Sequence, residues 1–485
     1  MTRLRLALIR FDNKEIVSIE RTAAVYVSAL TENFDVTHVH DPRNVSDWTR
    51  FDLAFDFMHY FIESDFRPPV PTIYCLHGTA ARGMVPYRQR GENLRSWDRF
   101  VVNCASDKQI IETLFPVNGP KASVLPLPVD NRIFFPLNKS ECKRKLGLQN
   151  NFALGFVGRL YPQKNLHKFL SIAAAIRTQL PSRNIKCVVI GDYCLYTYFD
   201  WYSDKAYALY NASLIRRLAL EEHVRFVQTF PSDSELNEYY NAMDILFHPT
   251  NVLDENYGYV PREAAACGVP VIGNAWGGLK DMNVDGTDSL LLPTHLTQTG
   301  LRSHYFEAVQ HAVRLLDRGN ELRRPAVTSL TEFSNELKNI VDDVFQNSRT
   351  EDSQAIPEFR PLEWKGTLPF PVHHRAWLPE YMQDWETLAP FSAFYASSPI
   401  PQLELNDQPT LSGALTPDEK GNLTLDDPCW PACYDISDAR EILDECNGHT
   451  SIEMICRRSR RSPEDGLKLF QTLCEMGVIT VMRSR

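Results

Sequence analysis

Apolar runs of strand length alternate with stretches of helical spacing along most of the chain. Residues 4–9, 34–40, 53–57, 72–76 and 100–104 read as strands, and 18–30 repeats its apolar positions at helical spacing. Strands that alternate with helices predict a parallel sheet wrapped by helices, the α/β class. The pattern restarts downstream. Residues 152–157, 185–190, 223–227, 245–247 and 269–272 are predicted strands, and 166–179, 232–242 and 259–267 predicted helices. Ser232 followed by Glu235 predicts a capping box, and Pro261 and Gly268 suit the first turn and the end of a helix. Residues 303–345 read as helical and close this second unit. The spacing predicts two Rossmann-like domains, 1–125 and 126–348. Pro126, Pro128 and Pro136 stiffen the segment at their junction and forbid a helix there.

The remainder reads differently. Residues 349–430 form a connector rich in proline that also holds Trp364, Trp377, Trp385 and Trp430. A disordered linker would be poor in aromatics, so this segment is expected to lie over the folded body, with 377–395 as a helix returning to the first domain. Residues 431–485 predict a small α+β module: a helix at 438–447, a capping box at Thr450–Glu453, a helix opened by Ser462-Pro463, and a final strand at 478–482. Short helices and strands of this size suggest a winged helix.

Composition narrows the class. The 485 residues leave room for two to four domains, and 44% apolar with 23% charged residues is ordinary for a globular protein. A net charge of −10 argues against nucleic acid as the partner of the whole chain. Eleven scattered cysteines suggest no disulfide framework, so a cytoplasmic location is expected. The N-terminus reads as a strand rather than a signal peptide, and no run approaches the ~18 apolar residues of a membrane helix.

The candidate chemistry gathers between residues 159 and 286. Arg159 and Lys164, five apart in a loop leaving a strand, can converge on one diphosphate, with the N-terminus of helix 166–179 behind them. Taken alone, that loop could equally hold two solvated cations. Glu255 in a loop and Glu263 on a helix stand eight positions apart, and Gly277-Gly278 opens the loop after the next strand. His77 ends a strand of the first domain, before Gly78, where it caps the strand or faces a cleft.

The combination Glu255, Glu263, Ala266-Cys267-Gly268-Val269-Pro270-Val271-Ile272, Gly277-Gly278, Asp281 and Gly286 resembles the nucleotide-sugar half of retaining glycosyltransferases of the GT-B fold (family 4-like, group 1). The resemblance implies two domains facing a cleft: an acceptor-side domain at 1–125 and a nucleotide-sugar domain at 126–348. It implies a nucleotide-diphosphate sugar as substrate, with a UDP-sugar favoured, and transfer with retention, no cofactor and no metal. Arg159 and Lys164 would stabilise the leaving phosphate. Glu263 would accept from the ribose hydroxyls, Glu255 would hold the sugar hydroxyls, and His77 would touch the sugar from the other domain. Gly277 and Gly278 would let backbone N–H groups approach the ligand. One departure stands out. The family often has a glycine pair in the loop after the first strand, and residues 10–20 contain no glycine. A glycosyltransferase-like scaffold without turnover is therefore the second reading.

The tail, from YDISDAREILDECNGHTSIEMI to LFQTLCEMGVITV, resembles PqqD-like peptide-recognition domains, which bind a leader peptide by adding a strand to a sheet edge. That resemblance implies a peptide acceptor or partner. A structural cap is the alternative, and the basic cluster Arg457-Arg458-Ser459-Arg460-Arg461 admits a DNA reading. Cys429, Cys433, Cys446 and Cys456 lack the paired spacing of a zinc site and read as free thiols. The aromatic stretch 193–210 either lines an acceptor site or packs as a surface insertion.

Overall fold

The structure, a computed structural model, describes residues 3–10, 17–57, 66–83, 94–194, 204–227, 231–253, 255–285, 287–297, 300–318, 327–349, 358–362, 389–412, 414–417, 423–426, 432–434 and 439–482. The first domain contains strands β1 (Arg5–Arg10), β2 (Asp35–Val39), β3 (Leu53–Phe57), β4 (Thr72–Cys75), β5 (Arg99–Val102) and β6 (Lys121–Val124), with helices α1 (Val17–Asn33) and α2 (Ala105–Leu114). Its six strands are parallel, in the order β2-β1-β3-β4-β5-β6. Every residue of β3 and β4 is buried, as expected of strands covered by helices on both faces.

The second domain runs through α3 (Lys139–Lys145), β7 (Phe152–Val157), α4 (Leu166–Gln179), β8 (Ile185–Ile190), α5 (Asp204–Arg217), β9 (Val224–Val227), α6 (Asp233–Ala242), β10 (Ile245–His248), α7 (Tyr259–Ala266), β11 (Val271–Ala275), β12 (Leu290–Thr297), β13 (Gly300–Ser303) and α8 (Tyr305–Arg318). The strand order is β13-β12-β11-β10-β7-β8-β9, parallel except for the β12–β13 hairpin. β7 and α4 occupy the expected residues, and Ser232 caps α6 in a full capping box with Glu235.

The hairpin corrects the expected helix at 303–345. Gly300–Ser303 is a strand, and the helical part divides into α8 and α9 (Leu330–Asn347). α9 also belongs to a different core. Phe333, Leu337, Ile340, Val341 and Val344 are buried with Leu6, Leu30, Phe55 and Val101 of the first domain, so the chain crosses back here. The expected return helix at 377–395 and all four connector tryptophans fall outside the described residues, apart from 389–395. There a single helical turn, α10 (Ser392–Tyr395), packs on α2. Tyr395 OH donates to Asp107 at 2.7 Å.

The C-terminal module contains β14 (Gln408–Leu411), β15 (Ala414–Pro417), β16 (Leu423–Asp426), β17 (Ala432–Tyr434), α11 (Arg440–Leu443), α12 (Ile452–Arg458), α13 (Pro463–Glu475) and β18 (Ile479–Met482). Its core joins Leu403 to Ile442, Ile455, Phe470 and Leu473, so it draws on residues well before 431. β14 pairs with β18, and β15-β16-β17 form a separate antiparallel sheet. The first helix is shorter than expected. The cap of α12 is Ser451, which accepts from Met454 N, rather than Thr450. Arg457 and Arg458 pair with Glu453 and Glu445. Cys446 and Cys456 are buried free thiols. Cys429 lies outside the described residues, as does the side chain of Cys433.

Candidate functional site

Strand order fixes where a ligand can sit. In the second sheet successive strands are added outward on one side of β7 and then, from β10, on the other, and open α/β sheets bind ligands beyond the carboxyl ends of the strands at such a switch in order. Two loops leave that edge. The one after β7 carries Arg159 and Lys164, and the one after β10 carries Glu255.

The loops are stitched together. After β7 the chain makes a tight turn at Pro162–Lys164, then Asn165 adopts φ 68° and starts α4. Asn165 Nδ2 donates to Pro249 O at 2.9 Å, and Asn251 N donates to Gln163 O at 2.7 Å. Lys164 Nζ donates to Glu255 Oε2 at 2.7 Å, with the two side chains 19% and 12% exposed. Burial pushes the Glu255 carboxyl up, but the Lys164 ammonium outweighs it and holds the carboxyl well below its ordinary value. Burial likewise pulls Lys164 down and Glu255 outweighs that. Both groups are therefore charged at neutral pH. Arg159 lies near enough to oppose the charge on Lys164, and its guanidinium stands 5.5 Å from the Tyr161 ring. Two cations beside the first turn of a helix make a place for an anion.

His248 and Gln163 belong to this site and were not singled out in the sequence. His248 Nε2 is 3.8 Å from Glu255 Oε2, too long for a hydrogen bond, and is buried without a partner. Burial lowers its pKa, so the ring is neutral. Gln163 is fully buried with both amide atoms unpartnered. The available signal was a polar residue placed at the end of an apolar strand or between two cations.

His77 sits half-buried after β4, with its ring 4.3 Å from that of Phe57 and Nε2 3.4 Å from Cys75 Sγ. Its carbonyl and that of Gly78 accept from Asn256 Nδ2 at 3.2 and 3.0 Å. The residue next to Glu255 thus bridges the two domains.

Glu263 has protein partners rather than an open carboxylate. Arg21 Nη1 donates to Oε1 at 3.0 Å and Tyr240 OH to Oε2 at 2.9 Å. Burial raises the Glu263 pKa and Arg21 opposes the rise. Arg21 comes from α1 of the first domain, where Thr22 also bonds Tyr259 OH at the start of α7. Nothing in the sequence joins positions 242 apart.

The glycine pair serves the loop itself. At Gly277, φ is 55° and a Cβ would lie 2.0 Å from Glu255 O; at Gly278 it would lie 1.8 Å from Asn256 O. Gly278 N donates to Glu255 O at 3.2 Å. Arg262 adds a bond to Gly278 O at 2.9 Å, and Asp281 accepts from Ala105 N at 2.7 Å. The close approach is between backbone and backbone, and it fixes where Glu255 stands.

Residues 138–302 match the family model for glycosyl transferases group 1. All the loop residues of the second domain described above, from Arg159 to Gly278, lie inside this group 1 segment. Over 215 residues the chain is 30% identical to a D-inositol 3-phosphate glycosyltransferase of Kribbella flavida, covering 43% of this chain and 48% of that one. A protein of the same name from Acidothermus cellulolyticus is 27% identical over 289 residues, 53% and 62% of the two chains. The chain spans about half the length of the first curated relatives it matches. A solved glycosyltransferase of Rickettsia africae superposes with a TM-score of 0.51 at 13% identity, over 72% of this chain and all of that one. That likeness concerns the fold: two parallel-sheet domains, as in the GT-B arrangement. No described helix is long and apolar enough to cross a membrane.

Proposed function

We propose that this chain transfers a sugar, with retention and without a metal, from a nucleoside-diphosphate sugar to an acceptor, with UDP as the favoured nucleotide. The observation that carries the reading is the buried Lys164–Glu255 pair at the switch point, with Arg159 in the same loop and the first turn of α4 behind it. In the reaction the bond between the anomeric carbon and the phosphate oxygen breaks. Negative charge develops on the diphosphate, and Arg159, Lys164 and the α4 N-terminus stabilise it. The acceptor oxygen bonds the anomeric carbon on the same face and its proton passes to the departing phosphate oxygen. Glu255 accepts from sugar hydroxyls, and His77 meets the sugar from across the cleft. Glu263 takes the ribose hydroxyls once Arg21 has withdrawn.

The acceptor we infer is a peptide recruited by the C-terminal module. Segment 446–448 already lines the outer side of β14, where Gly448 N donates to Pro409 O at 2.9 Å. An added strand would therefore join at β18, the other edge of the β14–β18 sheet, or at β15 or β17, the edges of the second one.

A scaffold without turnover is the second reading, favoured by the commitment of both Glu263 oxygens to Arg21 and Tyr240. Release of nucleoside diphosphate from UDP-, GDP-, dTDP- and ADP-sugars, with and without a divalent cation, separates the two. The enzyme reading expects turnover of one donor without metal, lost in Arg159→Ala at unchanged melting temperature. Tight nucleotide binding with no turnover across a panel of sugar and peptide acceptors favours the scaffold.

A further inference from the structure

Residues 391–398 belong to neither large sheet and touch both domains. On the side of the first domain, Tyr395 OH donates to Asp107 at 2.7 Å and Ser106 Oγ donates to Phe394 O at 2.9 Å. On the side of the second, Ser397 N donates to Thr294 O at 3.1 Å, Thr294 N donates to Ser397 Oγ at 2.9 Å, and Lys280 Nζ donates to Phe394 O. One apolar cluster joins all three parts: Tyr74 and Phe100 from the first domain, Leu253 and Trp276 from the second, and Phe391 and Tyr395 between them. Tyr395 and Trp276 are each 1% exposed. The segment lies outside residues 138–302, which match the family model.

Its packing partner is the root of the Glu255 loop. The Trp276 and Tyr395 rings stand 6.1 Å apart, and Trp276 pairs with Ala396 in an isolated antiparallel bridge. Trp276 Nε1 donates to Leu253 O at 2.9 Å, two residues before Glu255. Gly277 follows, and a Cβ there would lie 3.8 Å from Tyr395 Cδ1 as well as 2.0 Å from Glu255 O. Two adjacent glycines leave this loop little stiffness of its own. Arg262 holds Gly278 O from within the second domain, and Tyr395 backs Trp276 from outside it.

We propose that residues 391–398 are a strap that positions the Trp276–Gly278 loop, and through it Glu255, with Tyr395 as the positioning residue. The proposal rests on the reading that Glu255 meets the donor sugar, and adds that the two sheet domains do not complete the site by themselves. Beyond the strap the chain enters the C-terminal module at Leu403, which is buried in its core. The seat of the module and the position of Glu255 are thus tied by one short segment. These contacts lead to Glu255 and not to Arg159, so a loosened strap costs turnover while nucleotide affinity holds.

The test uses the full chain and two measurements. In the first, release of nucleoside diphosphate from UDP-, GDP-, dTDP- and ADP-sugars is followed beside calorimetric binding of the free diphosphates. Tyr395→Ala should lower turnover of the accepted donor about 100-fold, the scale of a misplacement of about 1 Å. Its diphosphate affinity should stay within about threefold of wild type. Tyr395→Phe, which keeps the ring on Trp276, should restore most of the turnover. In the second, amide hydrogen exchange should quicken at 255–258 and 276–279 in Tyr395→Ala and stay as in wild type across β7 and β8. Should Tyr395→Ala not fold, Ser106→Ala with Lys280→Met removes two donors to Phe394 O and is expected to act in the same direction. Unchanged turnover, a fall in diphosphate affinity as large as that in turnover, or exchange that quickens throughout the second domain would each overturn the strap. A wild type that turns over none of the panel would favour the scaffold instead, and the exchange pattern alone would then decide the strap.

Discussion

Replacing Lys164 with methionine leaves Glu255 charged, largely buried and without its ammonium partner. Such a loss costs about 3–5 kcal/mol, and urea unfolding at pH 7 should show it. Lys164→Met with Glu255→Gln should recover most of the loss, because no uncompensated charge remains. The sign with pH follows from the depressed Glu255 carboxyl. In the wild type its contribution is present above the ordinary carboxyl value of 4.5 and is lost only as the pH falls well below it; in the single variant burial alone acts on Glu255 and raises its carboxyl, so the deficit should be largest near pH 8 and shrink as the pH falls toward 5. Gly278→Ala is a sharper probe of the same loop, since its Cβ would lie 1.8 Å from Asn256 O. A melting temperature lowered by several degrees and weakened nucleotide binding are expected, and an unchanged melting curve would contradict the packing described. At this scale the sequence disclosed the residue types but not their partners. Taken alone, the two cations read equally well as solvated; Arg159, Lys164 and Glu255 could be picked out only in combination with Glu263 and Gly277-Gly278, which together carry the family resemblance. The pairing of Glu263 with Arg21 could not, because it depends on how two domains meet.

Among the elements, those with an unbroken apolar run or a capping box were legible, and β7, α4 and α6 occupy the expected residues. The β12–β13 hairpin escaped notice because residues 294–303 are mostly polar, with Leu296 and Leu301 as their only apolar side chains, and so carry no apolar run. α10 is one turn long and too short to carry a periodic signal. It matters through Tyr395, which reaches Asp107 on α2. Burial raises the Asp107 carboxyl from 3.8 to about 6, although Ala80 N, Tyr395 OH and Cys104 Sγ all donate to it. A raised carboxyl contributes stability that is fully present below about 3.8 and lost as the pH rises through about 6. Relative to Asp107→Asn, the wild type should therefore lose roughly 3 kcal/mol between pH 4 and pH 7. Chemical unfolding of both proteins across that range measures it, and parallel curves would remove Asp107 as the cause.

For the whole molecule, the alternation of strands and helices was enough to give the α/β class, because parallel sheets impose that pattern. It did not reveal that α9 leaves the second domain to complete the first. The apolar face of α9 has the same period wherever it docks, and only the contacts of Phe333 and Leu337 with the first sheet decide. Five buried apolar side chains on α9, at about 1.5–3 kcal/mol each, amount to roughly 10 kcal/mol, comparable to the whole stability of an ordinary domain. A chain ending at residue 329 should accordingly lose cooperative melting of the first domain, whereas one ending at 349 should keep it. Circular dichroism melts of the two decide the matter. The same crossing constrains synthesis. Domains made first commonly fold first as they leave the ribosome, yet here the opening 125 residues must wait, partly uncovered, until more than 200 further residues have been translated. Their exposure to chaperones is set by the time needed to reach α9, and slowing translation between residues 125 and 347 should lengthen chaperone occupancy on the nascent chain.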